Sequence, residues 1–176
     1  ASVTMVSLDK ILKALGAEVL PFALKTECCG AAMGIPDVNI PGSLSGRILE
    51  AAKAAGAKYT VMTTKHHEGF ALYDTCGING DEYDAVHSPA KRDLVREYVD
   101  ACWANGVRPH FYFPTYEWFR DEGMDGDWQG HLDYITRNVE LLCKNYGKIG
   151  GFMFDGNWCR PNADWKLEEL YGMIHK

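Results

Sequence analysis

The sequence contains no apolar run approaching the ~20 residues that a membrane span requires, no lysine- or arginine-rich cluster, and no Gly-x-Gly-x-x-Gly after any strand-like segment. The first absence argues against a bilayer-crossing helix and a membrane partner. The second, with a net charge of −6, argues against binding a nucleic-acid backbone. The third removes the main signature of a nucleotide binder. No secretory leader opens the chain, and a first residue of Ala1 fits a processed or truncated start. Repeats and low-complexity linkers are missing as well. Cysteine is present, as Cys28, Cys29, Cys76, Cys102, Cys143 and Cys159, but the spacings match no zinc pattern and adjacent Cys28 and Cys29 cannot easily pair with each other. Free thiols in a reducing cytoplasm are the expectation, with a secreted disulfide framework as the alternative, and no metal or cofactor is expected.

What the chain does have is an ordinary soluble balance, 47% hydrophobic and 24% charged, with a generous 12% of aromatic residues. Its 176 residues suffice for a single core, residues 1–176 forming one domain, but fall short of the roughly 250 of a full eight-stranded α/β barrel. Apolar periodicity and Gly/Pro punctuation give a helix over Leu8–Leu15, a strand over Glu18–Leu24 and a loop from Thr26 to Pro41. A helix over Ser43–Ala55, a strand over Tyr59–Thr63 and a helix over Pro89–Ala104 follow. The remainder reads as a strand over Val107–Phe113, a helix over Leu132–Asn145, a strand over Ile149–Phe154 and a helix over Trp165–His175. Alternating helices and strands imply an α/β fold with parallel strands and right-handed crossovers. The expectation is an open parallel sheet of about five strands with alternating helices, a partial (β/α)8-barrel-like arrangement rather than a closed barrel. Its exposed sheet edges would favour a homo-oligomer.

Two strand ends carry the chemistry. Phe152-Met153-Phe154 runs into Asp155-Gly156-Asn157-Trp158, as a buried parallel strand does when its last side chain enters a site at the carboxyl edge of a sheet. Tyr59–Met62 similarly leads into Lys65-His66-His67-Glu68-Gly69-Phe70. A carboxylate on one strand end and a histidine pair on another suit sugar cleavage, since neutral imidazoles each offer a hydroxyl one donor and one acceptor. Asp155 equally suits a cap for a following helix. A metal pair is the alternative for His66 and His67, disfavoured because neighbours in an extended segment point to opposite faces.

From about Ala51 to Lys176 the sequence resembles the retaining α-L-fucosidases, family 29 of the glycoside hydrolases. The resemblance is carried by AGAKYTVMTTKHHEGFALYDT at 55–75, SPAKRDLVREYVDAC at 88–102 and GGFMFDGNW at 150–158. It implies that Asp155 is the nucleophile and that His66 and His67 bind fucose hydroxyls. Tyr112 and Trp158 are candidates for hydroxyl contact and pocket wall. Retention needs a second, protonated carboxyl about 5–5.5 Å from the nucleophile. Glu117, just past the strand at Val107–Phe113, is the candidate acid. The implied substrate is a fucosylated glycan or small fucoside.

Residues 4–57 resemble a different class, the Cys-Cys-Gly domain of the heterodisulfide reductases, through LGAEVLPFALKTECCGAAMGIPD at 15–37 and SLSGRILEAAKAAGA at 43–57. On that resemblance a heterodisulfide-reductase-like segment 1–57 is joined to a fucosidase-like segment 58–176, as a chimera. The later Cys-x-x-Cys of those domains is replaced here by Thr63-Thr64-Lys65-His66. Three functions follow: a fucosidase-like hydrolase, a catalytically silent α/β scaffold, and an iron–sulfur redox fragment built on Cys28 and Cys29.

Overall fold

The computed structural model describes residue 14 and residues 39–78, 83–120 and 126–176. Within them, helix α1 (Asn39–Ala54) precedes strand β1 (Tyr59–Thr63), then α2 (Leu94–Ala104), β2 (Arg108–Pro114), α3 (Trp128–Asn145), β3 (Gly151–Asp155) and α4 (Leu167–Ile174). Single 3-10 turns follow β2 at Trp118–Arg120 and β3 at Asn157–Cys159. The strands form one parallel sheet in the order β1-β2-β3, open rather than closed into a barrel. The α/β class is as the alternation of apolar periods implied. Of the expected five or so strands, three lie among the described residues. The helix over Leu8–Leu15 lies outside them except for Ala14, which is helical, and the strand over Glu18–Leu24, Cys28 and Cys29 lie outside them entirely.

Helices cover one face of this sheet. Phe111 and Phe113 of β2 are fully buried against Val95 and Val99 of α2 and Leu132, Ile135, Val139 and Leu142 of α3. The intervening row is open: Tyr59, Val61 and Met153 are all exposed. The strands read as continuous apolar runs, yet their burial alternates, because β-strand side chains point to the two faces in turn and the described helices pack on only one. The register aligns Thr63, Tyr112 and Met153 across the three strands, with Asp155 opposite Pro114 two residues further on. The carboxyl ends of all three strands therefore reach one edge.

Several helix starts differ from the sequence reading for identifiable reasons. The helix expected from Pro89 begins at Leu94, because the Asp93 carboxylate accepts the Arg96 N–H at 2.8 Å and caps it there. Lys91, at φ 49°, lies in a turn before that cap. The helix expected from Leu132 begins a turn earlier, at Trp128, with Asp127 accepting the Gly130 N–H at 2.9 Å. Helix α1, described from Asn39 onward, takes in Pro41, where the sequence reading expects a loop.

Candidate active site at the strand ends

Asp155 is the last residue of β3, and its main chain is held before its side chain does anything. Its carbonyl accepts the Thr115 N–H at 2.6 Å and the Thr115 hydroxyl at 2.9 Å. Gly156 makes this approach possible. It sits at φ 116°, and a Cβ there would lie 2.7 Å from the Tyr116 nitrogen and 2.8 Å from the Tyr116 Cβ. The following 3-10 turn is capped by Gly156 without any side-chain hydrogen bond, so Asp155 is not serving as a helix cap.

The carboxylate is thus available to the site. Tyr112 donates its hydroxyl to Oδ2 at 2.8 Å, and Nε2 of His67 stands 3.4 Å from the same oxygen. The Tyr112 hydroxyl is also 3.3 Å from His67 Nε2, closing a triangle of phenol, imidazole and carboxylate. The Tyr112 hydrogen bond holds the Asp155 carboxyl below the usual carboxylate range, with smaller contributions in the same direction from His67 and Trp158. The Tyr112 phenol shifts up, first by burial and then by its bond to Asp155, so it stays protonated and remains a donor. Asp155 retains 40% of its side-chain surface, enough for a ligand to reach it.

His67 is nearly buried. Its Nδ1 lies 2.7 Å from the Tyr116 carbonyl, so Nδ1 carries a proton and donates to it, which turns Nε2 toward the site. The expectation that His66 and His67 point to opposite faces fails. Their ring centres are 4.6 Å apart, because the chain turns at 66–69, where the Gly69 N–H reaches the His66 carbonyl at 2.9 Å. His66 is more exposed, stacks near Tyr112 at 5.7 Å and pairs with Glu68 at 3.2 Å. Trp158, 66% exposed, meets the His67 ring edge-on at 6.5 Å. The structure thus brings His66, His67, Tyr112, Trp158 and Asp155 around one opening.

Glu117 is placed differently. It is 4% exposed, paired with buried Lys65 at 2.9 Å, and the Tyr134 hydroxyl lies 3.0 and 3.2 Å from its two oxygens. Its carboxylate is thus engaged by a buried ammonium and a phenol. Among the described residues, the side-chain partners of Asp155 are Tyr112, His67 and Trp158, and none is a carboxylate.

Outside this opening, Asp74, Asp84 and His87 bring one ligand atom each within 4.8 Å of one another, the one such group among the described residues. Both oxygens of Asp84 are already occupied: Oδ1 by the His87 N–H and Nδ1, Oδ2 by the Thr75 N–H and hydroxyl. That arrangement is a structural clamp on the 74–87 loop.

Sequence reasoning missed Thr115, Trp118 and Tyr134. Trp118 is 51% exposed, stacks on His67 at 5.9 Å and donates its main-chain N–H to the His67 carbonyl at 2.8 Å. Its place directly after Glu117, close behind a strand end, was the available signal. Tyr134 lies mid-helix, and nothing in its local sequence marks it.

Fold and site together define an α/β protein with a polar opening at the carboxyl ends of parallel strands, built around one ionised carboxylate. Comparison with known proteins gives it a family. The sequence model described as Alpha-L-fucosidase matches residues 46–176, and the chain belongs to that family. It is similar to the plasma alpha-L-fucosidase of Rattus norvegicus, 41% identical over 132 residues, which is 70% of this chain and 28% of that protein. Among solved structures, alpha-L-fucosidase isoenzyme 1 from Paenibacillus thiaminolyticus superposes with a TM-score of 0.60 at 37% identity, covering 74% of this chain and 35% of that one. Alpha-L-fucosidase AlfC from Lactobacillus casei, in complex with alpha-L-fucose product, shares the fold at a TM-score of 0.63 and 22% identity, covering 79% of this chain and 52% of that one. The chain spans just over a quarter of the length of the curated relatives it matches. The family match reaches back to residue 46, into α1, ahead of the changeover the sequence reading expects at residues 57 and 58.

Proposed function

We propose that this chain carries the nucleophile half of a retaining α-L-fucosidase site. Asp155 attacks the anomeric carbon of an α-L-fucoside, and the aglycone oxygen departs as the fucosyl–aspartyl ester forms. Water then cleaves that ester, and the two inversions give net retention. The observation that carries this reading is the Tyr112–His67–Asp155 triangle at the end of β3. It keeps the carboxylate ionised while leaving it exposed, as a nucleophile among hydrogen-bond donors must be. His67 Nε2 and the exposed His66 ring receive sugar hydroxyls, and Trp158 forms a wall of the pocket. A fucosylated glycan or small fucoside is the substrate this supports, in line with the chain's family.

The leaving-group proton needs a second carboxyl, and we assign it to a group other than Glu117, which Lys65 and Tyr134 already engage. The experiment is release of nitrophenol from 4-nitrophenyl α-L-fucoside by the wild-type chain and by Asp155→Asn. Turnover lost by a factor of about 1000 or more in the variant supports the reading. Equal rates in the two proteins reject it, and a folded chain with no turnover at all supports the silent scaffold instead.

We further infer that only the stretch before residue 46 carries the Cys-Cys-Gly ancestry, on the strength of the Cys28-Cys29-Gly30 motif. Visible absorbance after anaerobic purification would favour a cluster there. The exposed row of Tyr59, Val61 and Met153 supports self-association, which light scattering would measure.

A further inference from the structure

We propose that Lys65 and Glu117 are a positioning pair that sets the His67 imidazole against Asp155. This rests on the reading of Asp155 as nucleophile. The pair joins two strand exits, since Lys65 follows β1 by two residues and Glu117 follows β2 by three. Their 2.9 Å contact is almost fully buried, with side-chain exposures of 0% and 5%. Tyr134 of α3 ties both to the helical layer, through its hydroxyl near each Glu117 oxygen and in contact with Lys65 Nζ. The Arg120 guanidinium lies 3.9 Å from the Tyr134 ring centre.

From this anchor the two exits are fastened along their length. His67 Nδ1–H donates to the Tyr116 carbonyl at 2.7 Å, and the Trp118 N–H donates to the His67 carbonyl at 2.8 Å. Gly69 closes the turn over the pair, where a Cβ would meet Glu117 Oε2 at 3.1 Å. The residues flanking the ion pair therefore bear on where His67 points. Its Nε2 consequently stands 3.4 Å from Asp155 Oδ2 rather than turning into solvent. Burying two charges offers little net stability over an apolar pair of similar size. A directional link between two loops is what the charged pair supplies and an apolar one would not.

The test compares the full wild-type chain with Glu117→Gln on two substrates, an activated aryl α-L-fucoside and a fucosyl disaccharide with a poor leaving group. Misplacing a contacting group by about 1 Å costs on the order of 100-fold. A positioning role therefore gives a loss of that order that is equal on both substrates, with no rescue by azide and an unchanged basic limb of the pH profile. A loss confined to the poor leaving group, with azide rescue and a missing basic limb, would make Glu117 the acid/base and overturn the proposal. Unchanged rates would overturn it too. If Glu117→Gln does not fold, Tyr134→Phe removes only the hydroxyl clamp and should show a smaller loss with the same pattern.

A readout free of turnover separates this from failure of the nucleophile assignment. Imidazole ¹⁵N spectra, with the His67 signal identified by its loss in His67→Gln, should show the Nδ1–H form in wild type. Mixed tautomers in folded Glu117→Gln or Tyr134→Phe support positioning whether or not fucosides turn over. An unchanged His67 signal in the folded variants overturns it.

Discussion

The Tyr112 hydroxyl lies 2.8 Å from Oδ2 of Asp155, and the two residues come from adjacent parallel strands, β2 and β3, whose carboxyl ends reach the same edge. A protonated phenol donating to a carboxylate stabilises the ionised acid. That single bond does most to keep Asp155 below the ordinary carboxylate range.

Tyr112→Phe removes this donor and should let the Asp155 value rise toward normal. The acidic limb of kcat/KM reports the free enzyme's essential base, so it should move to higher pH. The rate at neutral pH should drop about tenfold, the cost of an ordinary hydrogen bond. A pH–rate profile checks both, and an acidic limb that stays in place would show that Tyr112 does not tune the carboxylate.

Gly156→Ala tests the close approach of the loops after β2 and β3. The new Cβ would meet the Tyr116 nitrogen at 2.7 Å in a backbone conformation that non-glycine residues rarely adopt. A loss of about 1–3 kcal/mol in unfolding free energy is expected, together with reduced turnover as Asp155 shifts. Denaturant titration measures the first. Gly147, at φ 69° with open space around it, is the matched control, and alanine there should disturb stability without touching the site.

Asp84 gives a stability prediction with a definite sign. Burial alone pushes its carboxyl up, but the donors from His87 and Thr75 together outweigh it and leave the value lowered. A depressed folded value means the stabilisation is fully present above the unfolded value of about 3.9 and is lost as pH falls through the folded one. Asp84→Asn should therefore flatten the decline in stability below about pH 4, while costing on the order of 2 kcal/mol at neutral pH. Thermal unfolding followed from pH 7 to pH 3 in both proteins checks the slope.

Much of this was legible in the sequence. Helix and strand periodicity gave the α/β alternation, and the apolar run into Asp155 gave its strand-end position, because parallel strands put their chemistry at the carboxyl edge. The His66–His67 geometry was not legible, since an extended segment and a turn closed by Gly69 carry the same residues. Glu117 was found, but its surroundings were not legible: proximity to a strand end does not reveal that Lys65 and Tyr134 converge on it from 52 positions before and 17 after. The uncovered sheet face was equally hidden, because Val61 and Met153 are as apolar as the residues that do pack.

The most direct measurement is the mass of the chain after incubation with a fluorinated fucosyl probe that forms the ester but hydrolyses it slowly. One fucosyl adduct should appear, located by peptide mapping to Asp155 and missing from Asp155→Asn. An adduct on any other carboxylate, or turnover of fucosides with no adduct at Asp155, would mean that the nucleophile lies elsewhere.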